Sequence, residues 1–101
     1  MVLTTAKDGR AAKRLAKPLV SARLAACVTV VPGASSHYRW KGKCESSREA
    51  LLLIKTSRRL WPKVLSYLKK NHPYELPEIV LLPVSAGSKE YLSWLNASVK
   101  I

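Results

Sequence analysis

Residues 27–56 read CVTVVPGASSHYRWKGKCESSREALLLIKT, and the way this stretch folds back on itself decides the architecture. "CVTVV" (27–31) is β-branched and apolar, the composition of a buried strand. Pro32-Gly33 signals a bend or bulge. "SSHYRW" (35–40) is extended, Lys41-Gly42 can turn the chain, and "KCESSREALLLIKT" (43–56) runs back. The second half of that return is apolar on both faces, so both faces must be covered. The arms are about twelve residues long, against ~5–6 for a usual strand. One domain of 101 residues hardly covers both ends of such a hairpin. The overhang exposes a long sheet edge, which proteins normally protect. Pairing with another copy of the chain is the simplest remedy.

A two-residue loop at Lys41-Gly42 sets Trp40 opposite Lys43, Arg39 opposite Cys44, Tyr38 opposite Glu45 and His37 opposite Ser46. Side chains alternate faces along a strand. His37, Arg39 and Cys44 then share one face, and Tyr38, Trp40, Lys43 and Glu45 the other.

Outward from the hairpin the pattern continues on both sides. Val2–Thr5 is a short β-branched strand. Asp8 can cap a helix whose apolar face is Ala12, Leu15, Ala16 and Leu19. Pro18 predicts a kink there or an early end, since it cannot donate to the carbonyl of Arg14. Ser57 opens a second helical stretch, with Trp61, Val64, Leu65 and Leu68 on one face and Pro62 in its first turn. "NHPYELPE" (71–78) is a loop, and "IVLL" (79–82) a strand stopped by Pro83. Ser88 caps a last helix with Tyr91, Leu92, Leu95 and Val99 toward the core. The order β-α-β-β-α-β-α makes this an α+β chain, and its first six elements give the ferredoxin-like split βαβ arrangement. A single domain over residues 1–101 is expected.

Bulk composition narrows the function. Eighteen Lys and Arg against six Asp and Glu give a formal charge of +12. That favours anionic partners and works against loose accumulation of divalent cations. No apolar run approaches the ~20 residues of a membrane helix. The first residues lack a basic-then-apolar signal pattern, and two cysteines are read as free thiols, so a cytoplasmic location is expected. No Ser/His/acid order, dense metal quartet, Gly-rich phosphate loop or paired-carboxylate cleft supports catalysis.

Five blocks together form a recognisable set: "RLAACVTVVPG" (23–33), "YRWKGK" (38–43), "LLIKT" (52–56), "NHPYELPEIVLLPV" (71–84) and "YLSWLNASV" (91–99). In this order and spacing the chain resembles the CutA family of divalent-cation-tolerance proteins. The resemblance implies a ferredoxin-like fold assembled as a homotrimer akin to PII-like signalling proteins. It also implies a cytoplasmic protein associated with copper and other divalent metals, with no obligatory cofactor and no enzymatic reaction. This chain departs from the family in its short first strand, in Pro18 and the basic face of its first helix, and in Ser21-Ala22 where an acidic pair is common.

Candidate metal ligands are His72 and Glu78 on the proline-stiffened loop, then Cys27, then the diagonal pair His37 and Cys44. Imidazole with carboxylate suits a borderline divalent ion, and imidazole with thiolate suits copper or zinc within a larger set. The plain alternatives are a histidine capping the preceding helix, a small buried thiol and an exposed polar strand face. The resemblance places the 71–78 loop at a cleft between subunits, with Tyr38, Arg39, Trp40, Lys55 and Tyr74. There Lys55 and Arg39 would be donors to a small anion. The aromatic face of the hairpin is read as a packing surface between subunits. The stripe Arg10, Lys13, Arg14 and Lys17 offers a third partner class, a polyanion.

Overall fold

The computed structural model describes residues 1–100, so the last position of the expected domain, Ile101, lies outside the described residues. Four strands form one sheet: β1 (Val2–Ala6), β2 (Cys27–Trp40), β3 (Lys43–Lys55) and β4 (Ile79–Leu81). Their spatial order is β2-β3-β1-β4, and every neighbouring pair is antiparallel. Three α-helices, α1 (Gly9–Ser21), α2 (Trp61–Asn71) and α3 (Lys89–Ser98), complete the expected order, with a 3-10 turn at Arg58–Leu60 leading into α2. This is the ferredoxin-like arrangement, extended by a long hairpin and a last helix.

The hairpin has the expected register, with Trp40 opposite Lys43, Arg39 opposite Cys44, Tyr38 opposite Glu45 and His37 opposite Ser46. Lys41 and Gly42 turn the chain with φ of 52° and 80°. Two successive left-handed residues are what a tight hairpin loop requires. Between Val31 and Ala34 the register shifts, since Val31 pairs with Leu51 but Ala34 with Glu49. Pro32 and Gly33 thus face one residue of β3, and Gly33 takes φ 75°. This is the predicted bulge. Only Ala50–Ile54 of β3 also pair with β1, so the far part of the hairpin stands beyond the rest of the sheet. The radius of gyration is accordingly 14.2 Å, against about 13 Å for a compact chain of this length.

One face of the sheet carries the core. Val2, Ala6, Ala50, Leu52 and Ile54 meet Ala12, Leu15 and Leu19 of α1 and Val64 and Leu68 of α2, all buried in one cluster. The other face bears Leu3, Leu51 and Leu53, half-buried, and Val31 and Val80, each 42% exposed. Among the described residues no helix layer closes this second apolar face, because α1 and α2 both pack on the first.

The Asp8 side chain caps α1, accepting from the Ala11 N–H at 2.8 Å. The early end anticipated at Pro18 does not occur: the helix runs through it to Ser21. Pro18 and Arg14 are both on the exposed side, where water can serve the carbonyl that proline leaves without a donor. Beyond Ser21, the Arg23 N–H reaches the Val20 carbonyl at 3.0 Å and the Leu24 N–H the Leu19 carbonyl at 2.9 Å. These paired bonds form a Schellman end, in which Arg23 holds the left-handed position that glycine usually fills, with φ 59°. Such a conformation costs a non-glycine residue roughly 1–2 kcal/mol. The Arg23 guanidinium offsets this by donating to the Ser98 and Ala97 carbonyls at the end of α3, at 3.1 and 3.0 Å. A cation at a helix C-terminus is favourable there.

Ser88 caps α3, its hydroxyl accepting from the Tyr91 N–H at 3.2 Å. Leu95 and Val99 are buried as expected. Tyr91 is the exception: it points outward, beside the similarly exposed Trp94, their ring centroids 5.6 Å apart. Strand β4 ends at Leu81 rather than Leu82, although the Leu82 N–H still bonds the Met1 carbonyl at 2.7 Å.

Candidate ligand cleft

Where β1 stops at Ala6, the loop after α2 takes its place beside the free part of the hairpin. The two enclose a groove of about 720 Å³. The hairpin contributes Ser36, His37, Tyr38, Arg39, Trp40, Arg48 and Glu49, the loop Tyr74, Glu75, Leu76 and Glu78, and the β1 end Thr5 and Lys7. Three of the chain's six acidic residues line this groove, although the whole chain is at +12. Lys7, Arg39 and Arg48 balance them. The groove is therefore a locally neutral site in a strongly cationic protein.

A buried polar network fixes its floor. Glu49 is 8% exposed, and the Tyr74 hydroxyl donates to its Oε2 at 2.7 Å. Burial by itself would raise the Glu49 carboxyl, but hydrogen bonding to the Ser36, Tyr74 and Thr5 side chains outweighs it and holds the group below its ordinary 4.5. Burial, with the Glu49 carboxylate as acceptor and negative charge, pushes the Tyr74 phenol well above its ordinary range. Tyr74 therefore stays a donor at any physiological pH.

His72 lies behind this pair, 8% exposed. Its Nδ1 accepts from the Tyr74 N–H at 3.2 Å. That leaves the ring hydrogen on Nε2, which donates to the Thr5 carbonyl at 2.7 Å. Both ring nitrogens are thus engaged in tying the loop to the end of β1. The imidazole also packs on the Tyr74 ring, with centroids 4.8 Å apart.

The groove brings together Tyr38, Arg39, Trp40, Tyr74, Glu78 and His37 from the sequence-derived candidates. His72, Cys27, Cys44 and Lys55 are not among its lining residues. Cys44 and His37 share a shallow depression on the far arm. Arg39 stands between them and donates to the Cys44 sulfur at 3.5 Å, while His37 Nε2 bonds the Ser35 hydroxyl at 3.1 Å. Cys27 is half-buried at the opposite end of the hairpin, 3.8 Å from the Lys55 ammonium. Within one chain, Lys55 and Arg39 cannot act on one small anion, because they sit at opposite ends of the β2–β3 ladder. Among the described residues there is no group of three or more His, Cys, Asp and Glu side chains placed to hold a metal ion.

Sequence reasoning missed Glu49, Lys7 and Arg48. Glu49 was legible in principle: it shares strand parity with Leu51 and Leu53 on the face of β3 directed away from the helices, and of the two acids on that face, Glu45 and Glu49, it is the one next to the apolar run.

The topology and this cleft define a class: small ferredoxin-like α+β proteins with an oversized hairpin over a polar groove. Residues 1–98 match the family described as CutA1 divalent ion tolerance protein. The Divalent-cation tolerance protein CutA of Pectobacterium atrosepticum is 49% identical over 100 residues, covering 99% of this chain and 91% of its own. Among solved structures, the divalent cation tolerance protein (Cut A1) of Thermus thermophilus superposes with a TM-score of 0.93 at 46% identity, covering 98% of this chain and 96% of that one. The periplasmic divalent cation tolerance protein CutA of Archaeoglobus fulgidus gives 0.93 at 34% identity, with 98% and 96% covered. The chain belongs to the CutA1 divalent ion tolerance protein family. It is accordingly a divalent-cation tolerance protein and not an enzyme.

Proposed function

We propose that the chain, one CutA-like domain over residues 1–101, works as a homotrimer that binds divalent cations weakly, copper among them, in the groove at the root of the hairpin. The observation that carries this reading is the placement of Glu49, Glu75 and Glu78 around one locally neutral groove. A cation meets no net repulsion there, unlike on the rest of the surface. One chain does not supply a complete inner shell, so the ion takes further ligands from a neighbouring copy or from water. Glu78 is the first-choice ligand, whereas the His37 ring stands on the other face of the hairpin beside Arg39 and Cys44. His72 holds the loop through its two hydrogen bonds, and it ligates only if that anchor opens. Cys27 and Cys44, on other parts of the chain, would enter only as secondary soft-metal positions.

Assembly rests on two features: the free-standing hairpin edge, and the apolar sheet face of Leu3, Leu51, Leu53, Val31 and Val80 that no helix covers. Burying that face against other copies removes apolar surface from water and pairs the edge. A cytoplasmic location agrees with two free thiols, the state a reducing compartment maintains. Cell fractionation checks it, and recovery in the periplasm would overturn it.

Calorimetric titration of Cu(II) into the protein, with its mass followed by light scattering, tests the whole reading. Glu78→Gln is expected to weaken binding roughly tenfold, and His72→Ala to lower thermal stability first. A monomeric mass, or Cu(II) binding unchanged in Glu78→Gln, would remove the corresponding part. A second reading, a PII-like site for a small anion, is favoured by Lys7, Arg39 and Arg48 in the same groove. Citrate or phosphate raising the melting temperature where divalent ions do not would select it.

A further inference from the structure

We propose that the outer surface of the helix layer binds the phosphate backbone of duplex nucleic acid without reading its sequence. Helix α1 presents Arg10, Lys13, Arg14 and Lys17, and α2 presents Lys63, Lys69 and Lys70, all exposed. Neither helix contains an Asp or Glu. An ordinary solvated helix face mixes both signs, so that its cations are neutralised by neighbours at i+3 or i+4. Here the two helices pack side by side on the same sheet face, and both expose their cations to solvent. These seven side chains are more than a third of the chain's eighteen Lys and Arg. The charge is thus concentrated on one surface, whereas the groove is balanced.

Geometry favours a regular polyanion. The run from Arg10 to Lys17 extends about 10 Å along α1, the axial rise of about three phosphates on one strand of a duplex. Composition disfavours the other polyanionic surfaces. Membrane docking needs an apolar face beside the basic one, and Val20 is the one large apolar residue that α1 or α2 exposes among the described residues. Single-strand binding needs aromatic stacking platforms, and the exposed rings Tyr38, Tyr91 and Trp94 lie on the hairpin and on α3. The layer also points away from the apolar sheet face and the hairpin edge, so assembly through those surfaces leaves it open. This inference is independent of metal binding in the groove.

Fluorescence anisotropy with a labelled DNA duplex of mixed sequence tests it. Affinity is expected to be independent of sequence and to fall with salt with a log–log slope of about −4, as for four or five neutralised phosphates. Between about 50 and 200 mM salt that is a loss of roughly two hundredfold. The triple variant Arg10→Gln, Arg14→Gln, Lys17→Gln is expected to weaken binding at least tenfold and to flatten the slope by about 3. Lys43→Gln, Lys89→Gln, Lys100→Gln removes the same charge elsewhere and is expected to change affinity less than threefold. Circular dichroism confirms that both variants fold. No binding at the lowest salt, equal losses in the two variants, tighter binding to single strands, or tighter binding to phosphatidylglycerol vesicles would each overturn the proposal.

Discussion

The near half of the hairpin, Cys27–Val31 with Leu51–Lys55, lies against α1 and α2; the far half, Ala34–Trp40 with Lys43–Glu49, has no helix over it. The backbone ladder is the same in both, so hydrogen bonding does not distinguish them. Side-chain burial does. Leu52 and Ile54 are fully buried in the near half, while in the far half nearly every side chain is half-exposed or more, and Glu49 at the junction is the buried exception. The near half is held by hydrophobic burial from within its own chain. The far half is held by its turn, its bulge and the polar network at its root, and it is the part left for partners and ligands.

The sharpest way to break this contrast is to truncate one side chain in each half. Leu52→Ala is expected to cost about 2–5 kcal/mol, since it opens a cavity in a packed core. Cys44→Ala on the far arm should stay within about 0.5 kcal/mol. Urea unfolding of the two variants decides it, and a large loss for Cys44→Ala would show that the far arm is buried in the assembly.

A smaller effect is expected where the halves meet. Tyr74→Phe removes the donor to a buried carboxylate, at a cost of about 1–3 kcal/mol. The pH dependence is diagnostic. Because folding holds Glu49 below its ordinary value, its stabilising contribution is present above pH 4.5 and is lost as the pH falls through the folded-state pKa. Tyr74 is shifted the other way, so its contribution is complete below pH 10 and declines as the pH rises beyond that. Thermal melts across pH should therefore lose part of their acid and alkaline slopes in Tyr74→Phe. Unchanged slopes would show that this pair does not set them.

The smallest effect belongs to the tip. Lys41 occupies a left-handed position with φ 52°, and Lys41→Gly relieves that conformation while losing the contact of Lys41 Nζ over the Trp40 ring, 5.7 Å from its centroid. Melting is expected to rise by the equivalent of less than about 1 kcal/mol. A fall would mean that the cation–π contact outweighs the backbone strain.

Much of this fold was legible because its signals are periodic or stereochemical. The β-branched run at 27–31, the Pro-Gly bulge, the Lys-Gly turn and the Asp8 and Ser88 caps all act locally. Tyr91 was misjudged because its helical spacing matched the core face, yet α3 touches the body mainly through Leu95, Val99 and Arg23. Pro18 was over-weighted because its missing N–H falls on a solvated turn. The cleft was only half legible. Tyr38, Arg39, Trp40 and Tyr74 could be grouped from the motif blocks, but Glu49 becomes part of the floor only when a loop 25 residues away lays Tyr74 over it. Such a contact has no short-range signature.

The bulge at Pro32-Gly33 acts as a phase shift. On β2, Val28 and Val30 pair with Ile54 and Leu52 and face the helices. Past the bulge, the even-numbered Ser36, Tyr38 and Trp40 pair with Ser47, Glu45 and Lys43 and stand on the opposite side of the sheet, in line with Glu49. Had these same residues paired with β3 without the bulge, the original phase would have continued. His37 and Arg39 would then have been carried to the side of Glu49, and the two aromatic rings away from it. The chemical character of the groove is thus written in a count of backbone units, several positions before the first side chain that lines it.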